Sequence, residues 1–177
     1  MKNVVGLIYA GGQGQRLGGV CKANLKIGGA KLLDRAMSAL GMDDLLVSVG
    51  PGPETAIDPR FAVAVPDLND RHGGPLAGLV AGVDYLLRRS HPPEFVLTTA
   101  VDTPFLPGDY FARLHSDLNN RAAVFAGWGD HYYPTNALWR LAAIADLPER
   151  TRNETAPKSL KHLLREPASH RGELDQR

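Results

Sequence analysis

The feature that most limits how this chain can fold is a six-residue apolar run, Val4 to Tyr9 (VVGLIY), that stops abruptly in glycine-rich sequence extending from Ala10 to Lys22. An apolar run without alternation suits a strand covered on both faces, which places it at the centre of a sheet. Further short runs follow at Leu45 to Val49, Phe61 to Val65, Phe95 to Val101 and Ala122 to Ala126. Helical periodicity fills the spaces between, over Lys31 to Leu40, Gly78 to Arg89 and Gly108 to Leu118. Strands alternating with helices predict βαβ units, and hence a three-layer α/β/α fold on a mostly parallel, Rossmann-like sheet. Ligands of such sheets sit beyond the carboxyl ends of the strands, so function is expected in the loops after Tyr9, Val65 and Val101.

A length of 177 residues suits one domain, given that domains commonly run to about 100 to 200 residues. The expected domain spans 1–177, with a polar tail from Glu149 onward that holds one short helix in SLKHLLRE and then frays. Twenty basic against nineteen acidic residues leave a net charge of +1, too little for a field that would wrap nucleic acid or coat an anionic membrane. Any anion must therefore be met locally. No apolar run approaches the roughly 18 residues of a membrane span. The single cysteine, Cys21, can form neither an internal disulfide nor a four-ligand zinc site, and the start MKNVVGLIYAGG lacks a secretory h-region, so a cytoplasmic protein is expected.

The loop after the first run reads Ala10-Gly11-Gly12-Gln13-Gly14-Gln15-Arg16-Leu17-Gly18-Gly19-Val20-Cys21-Lys22. Glycines let the backbone turn and approach a ligand closely, so that successive N–H groups at Ala10, Gly11, Gly12 and Gly14 can point at phosphate oxygens. Arg16 and Lys22 add positive charge. Neither familiar phosphate loop fits. A dinucleotide fingerprint from Gly12 needs glycine where Leu17 stands, and a P-loop from Gly14 needs Lys-Ser/Thr where Val20-Cys21 stand.

With its preceding strand, IYAGGQGQRLGGVCK resembles the LAGGxGxRMGGxDK signature of the molybdenum cofactor guanylyltransferases, within the nucleotidyltransferase superfamily. The resemblance implies a loop wrapped around a triphosphate, with Arg16 and Lys22 neutralising charge as pyrophosphate leaves. Cys21 replaces the aspartate usual before the lysine, and we read it as structural. After FAVAV come Pro66-Asp67 and then Gly74-Pro75-Leu76-Ala77-Gly78, a rigid start to a helix. This GPLAG is similar to the family's nucleobase-contacting segment, and Asp67 matches a carboxylate of its nucleotide site, suited to accept from guanine N–H groups or ribose hydroxyls. Related cytidylyltransferases tend to open with AAG and to lack GPLAG, so Gly11 and Gly74 to Gly78 favour guanine.

At the end of the next strand stands Val101-Asp102-Thr103-Pro104-Phe105-Leu106-Pro107. A carboxylate held there can ligate Mg2+, which takes one or two carboxylates besides phosphates and waters. The segment also resembles the family's CDTPxxP, whose aspartate coordinates the magnesium on the triphosphate. Tyr133-Pro134-Thr135-Asn136-Ala137-Leu138 is similar to HPTxALV, which helps to surround the acceptor, so Thr135 and Asn136 are minor candidates. His72 and His131 are loop histidines with no metal-binding spacing around them. The family's closing Asn-x-Asn-Thr-Pro does not occur in the final ASHRGELDQR.

The resemblance thus implies GMP transfer from Mg-GTP to the phosphate of molybdopterin or molybdenum cofactor, with a molybdoenzyme or a cofactor-delivery protein as a further partner. A nucleotidyltransferase using another base or acceptor, cytidylyl or sugar-phosphate, stays open, as does a non-catalytic nucleotide binder.

Overall fold

The computed structural model describes residues 3–11, 21–50, 57–68 and 73–166. In chain order the elements are β1 (Val4–Tyr9), β2 (Lys26–Ile27), β3 (Ala30–Lys31), α1 (Leu32–Leu40), β4 (Leu45–Ser48), β5 (Val63–Val65), α2 (Gly74–Leu87), β6 (Phe95–Ala100), α3 (Tyr110–Leu118), β7 (Ala123–Trp128), β8 (His131–Arg140), α4 (Leu147–Arg152) and α5 (Leu160–Leu163). Six strands form one sheet in the order β5-β4-β1-β6-β8-β7, while β2 and β3 pair in a hairpin turned by Gly28 and Gly29, both at positive φ. β1 is central, parallel to β4 and β6. β8 runs antiparallel to both of its neighbours, so it alone is reversed.

Two apolar layers follow from the period-two alternation along β1. Val5, Leu7 and Tyr9 point into a cluster with Leu76, Leu79, Val83 and Leu86 of α2, joined by Leu147 of α4 and Leu160 and Leu163 of α5. Ile8 and Ala10 point the other way, into a cluster with Leu33 and Leu40 of α1 and Tyr110, Leu114 and Leu118 of α3. This is the three-layer α/β/α arrangement that the alternation of strands and helices predicts.

Several boundaries differ from the sequence expectation, each for a local reason. α2 begins at Gly74 rather than Gly78, because Pro75 in the first turn has no N–H to leave unsatisfied. β8 escapes the sequence pattern entirely, since Pro134 within it signals a break. The break is real but local. The register passes from Phe125↔Ala137 to Ala126↔Tyr133, so β8 spends Pro134, Thr135 and Asn136 in a bulge where β7 advances by one residue. Beyond Glu149 the chain up to residue 166 packs onto the sheet. Asp84 of α2, 8% exposed, accepts from Arg88 and from Arg152 of α4 at 2.5 Å each, tying the two helices together.

Candidate functional site

Because β1, β4, β5 and β6 are parallel, their carboxyl ends share one edge of the sheet, and the loops leaving them abut. Ala10 and Gly11 both donate their N–H groups to the carbonyl of Ser48 at the end of β4, at 2.9 and 2.8 Å. A Cβ on Gly11 would lie 2.8 Å from the Gly50 nitrogen, so glycine is required there by backbone against backbone. Gly50 itself has φ of +59°, and a Cβ on it would lie 3.0 Å from Gly11 Cα and 3.8 Å from Asp67 Oδ2. The loops after β1, β4 and β5 therefore meet at one point. The turn at Gly50 was not singled out in the sequence, although Val49-Gly50-Pro51-Gly52-Pro53 directly after an apolar run carried the signal.

Asp67 is half-buried at this junction, and its Oδ1 has no hydrogen-bond partner among the described residues. Loss of water pushes its carboxyl above the usual range. A desolvated, unpaired acceptor of this kind is suited to receive N–H or O–H donors from a ligand. Of the GPLAG segment, Gly74 and Pro75 are exposed whereas Leu76, Ala77 and Gly78 are buried. Gly78 lets α2 close on the sheet: a Cβ there would overlap Ser48 Oγ and lie 3.0 Å from Tyr9 Cδ1. The first turn of α2 has no side-chain cap among the described residues, so its N–H groups face the same edge.

On the other side of β1, Lys22 follows the glycine loop in a short 3₁₀ turn (Lys22–Asn24), and its Nζ donates to Asp102 Oδ2 at 2.9 Å across 80 residues of sequence. The two side chains are 43% and 48% exposed, so both remain open to a ligand. Cys21, just before, is buried with Ala10 and Ala23 and packs as a small apolar residue. Asp102 stands in a tight turn: the Thr103 N–H donates to the Ala100 carbonyl at 3.0 Å, and Val101 between them is buried. Tyr110 Oη donates to the Thr98 carbonyl at 2.8 Å, and burial pushes the phenols of Tyr9 and Tyr110 up, so neither is a base near neutral pH.

Gly12, Gly14, Arg16 and His72 lie outside the described residues. His131 is exposed at the start of β8. Thr135 is half-buried, and Asn136 is buried and faces the end of β6. Beside the β7–β8 hairpin, a cavity of about 370 Å³ is lined by Phe125, Tyr132, Lys161, Leu164 and Arg165, among others. It lies past β6, on the side of Asp102 away from the glycine loop.

The donor set bears on which metal could bind. Among the described residues no three His, Cys, Asp or Glu side chains form a cluster for an all-protein metal site. One half-exposed carboxylate beside a lysine suits a cation that shares its coordination with phosphates and waters, as Mg2+ does.

Comparison with known proteins gives the family and the fold. The model of the MobA-like NTP transferase domain matches residues 6–171. The molybdenum cofactor guanylyltransferase of Cereibacter sphaeroides is 38% identical over 146 residues, covering 80% of this chain and 72% of that protein. The protein of the same name from Acidiphilium cryptum is 39% identical over 145 residues, covering 81% and 70%. Among solved structures, molybdopterin-guanine dinucleotide biosynthesis protein A from Archaeoglobus fulgidus superposes with a TM-score of 0.64 at 20% identity, covering 90% of this chain and 78% of that one. The 2-C-methyl-D-erythritol 4-phosphate cytidylyltransferase of Thermus thermophilus gives 0.59 at 20% identity, covering 91% and 84%, so the two share the fold with this chain.

Proposed function

This chain belongs to the MobA-like NTP transferase family and is a nucleotidyltransferase, and from that premise we propose that it transfers GMP from GTP to the phosphate of molybdopterin or molybdenum cofactor. The observation that carries the reading is the Lys22–Asp102 contact, which joins the end of the glycine loop to the carboxyl end of β6 at the sheet edge. Relatives named molybdenum cofactor guanylyltransferase, at 38 and 39% identity, support guanine as the base and the molybdenum cofactor as the acceptor in this reading.

In this reading an oxygen of the acceptor phosphate attacks the α-phosphorus of GTP. The new P–O bond forms as the bond from the α-phosphorus to the bridging oxygen breaks, and the electron pair leaves with pyrophosphate. No protein nucleophile is required, because the acceptor is already an anion; catalysis is positioning and neutralisation of charge. The Ala10 and Gly11 N–H groups, expected to face the triphosphate, are donated to the Ser48 carbonyl. The backbone donors in this reading are therefore those of Gly12 and Gly14, with Ala10 and Gly11 fixing the start of the loop, and Arg16 and Lys22 balance the charge that builds on the leaving group. Asp102 would hold Mg2+, which when bound supplies further neutralisation of the phosphates. Asp67 and the first turn of α2 at Gly74-Pro75 receive the nucleoside. The cavity beside the hairpin, with Lys161 and Arg165 on its wall, offers the acceptor a seat on the far side of Asp102.

The test is thermal stability with Mg2+ and each of GTP, CTP, ATP and UTP, followed by pyrophosphate release with GTP and molybdopterin. Stabilisation by GTP alone, lost in Asp102→Ala, together with pyrophosphate release that depends on acceptor, is the expected result. Preference for CTP would move the assignment to a cytidylyltransferase. Binding of GTP without pyrophosphate release would make the protein a nucleotide binder rather than a transferase.

A further inference from the structure

We infer that Asn136 is a positioning residue that holds Asp102 in its metal-binding pose, an inference that rests on the proposed role of Asp102. Asn136 lies in the β8 bulge, the three-residue stretch Pro134-Thr135-Asn136 over which β7 takes one step. Bulges re-aim side chains beside functional sites, and here the side chain turns toward the end of β6, where it is 5% exposed. Its Oδ1 accepts from the Ala100 N–H at 3.2 Å; Thr99 Oγ1, 3.3 Å from that oxygen, lies closer to Thr103 Oγ1, at 2.9 Å. Ala100 and Thr103 are the two ends of the turn that carries Asp102, closed by its own backbone bond and by Thr103 Oγ1 donating to the Ala100 carbonyl at 2.7 Å.

One buried oxygen therefore ties the Ala100 end of the Val101-Asp102 corner to a neighbouring strand, while the Thr103 hydroxyl closes the corner on itself. The Ala100 N–H has reached the end of the ladder between β6 and β8, whose last pair is Thr98↔Ala137, so the Asn136 side chain continues the strand's hydrogen bonding past the point where Pro134 and the bulge interrupt it. Without that acceptor the amide is left unsatisfied, the turn must shift to find another partner, and the Asp102 carboxylate moves with it.

The experiment compares wild type, Asn136→Ala, Asn136→Asp, Thr103→Val, Thr103→Ser and Trp139→Phe by electron paramagnetic resonance of Mn2+ titrated into each protein with saturating GTP, well below the melting temperature. Pyrophosphate release against Mg2+ concentration is measured alongside. Asn136→Ala is expected to weaken Mn2+ binding about 10- to 100-fold, as losing an outer partner of a metal ligand typically does. The Mg2+ needed for half-maximal turnover should rise in parallel and be met by excess Mg2+. Thr103→Val should weaken Mn2+ in the same direction, and Thr103→Ser, which keeps the hydroxyl, should restore it. Trp139→Phe removes a β6–β8 bond one layer deeper, Trp139 Nε1 to Thr98 Oγ1 at 3.2 Å; it should lower the melting temperature and leave Mn2+ affinity unchanged.

Wild-type Mn2+ affinity in Asn136→Ala overturns the inference, and so does an equal loss in Trp139→Phe, which would mark general loosening. Should Asn136→Ala fail to fold, Asn136→Asp decides: it keeps an oxygen to accept from the Ala100 N–H, and a loss of Mn2+ affinity in it overturns the inference. Mn2+ retained with CTP but not with GTP would overturn the guanylyl reading only, and the same comparison made with CTP would then judge Asn136. No Mn2+ retained by wild type with any nucleotide would overturn both.

Discussion

Lys22 and Asp102 separate function from stability cleanly. Their ion pair is nearly half exposed on both sides, and such pairs contribute about 0 to 1 kcal/mol. Lys22→Ala and Asp102→Ala should each keep a near wild-type melting temperature while pyrophosphate release falls by about 100-fold or more, the usual scale for removing one charge-stabilising group. Normal turnover in either variant would remove that residue from the mechanism. Asp67 makes the opposite case. Burial raises its pKa, so the folded chain keeps a proton at pH values where the unfolded chain has lost it. Stability contributed by this group therefore declines as pH rises from the ordinary carboxylate range through the raised value, and is flat above it. Asp67→Asn should abolish that slope, leave the protein more stable at neutral pH and weaken nucleotide binding. A stability profile against pH that overlays the wild type would show that Asp67 is not held in this state.

Among the elements, the close approach of α2 and of the β1 loop to the sheet depends on glycines used in two different ways. At Gly82 a Cβ would meet Leu7 Cδ2 at 2.8 Å, the end of a side chain that has other rotamers. At Gly11 it would meet the nitrogen and Cα of Gly50 at 2.8 and 2.9 Å, which can yield only if two loops separate. Gly11→Ala should therefore cost more than Gly82→Ala, toward the upper end of the roughly 1 to 3 kcal/mol typical of overpacking. It should also weaken nucleotide binding, because the loops it parts carry the site. Urea denaturation of the two variants, with GTP titrations on each, measures both effects; a larger loss in Gly82→Ala would contradict the backbone argument.

At the scale of the molecule, Asp102 divides the sheet edge into two halves. The loops of β1, β4 and β5 with the start of α2 lie on one side, and the β8–β7 hairpin with α5 on the other. A nucleotide at 100 times its dissociation constant adds about 2.7 kcal/mol, which for a chain of this size raises the melting temperature by roughly 5 to 11 °C at about 2 to 4 °C per kcal/mol. That shift should survive Lys161→Ala and Arg165→Ala, whereas the KM for the acceptor should rise in both. A loss of the GTP shift in these variants would place the cavity on the nucleotide side instead.

Much of this was legible in the chain itself. Local patterning determined that Val4–Tyr9 would be a central strand, that helices would alternate with strands, and that the glycine loop, Asp67 and Asp102 would stand at strand ends, because periodicity and turn chemistry are properties of neighbouring residues. Other features depend on residues far apart in sequence. That Lys22 meets Asp102, that Gly50 closes against Gly11 beside Asp67, and that most of GPLAG is packed inward could be decided only when parallel strands brought their ends to one edge. β8 and Asn136 show why. Read locally, Pro134 interrupts a strand; in the folded sheet the interruption is a bulge, and the side chain it redirects completes the hydrogen bonding of a turn more than 30 residues earlier in the chain.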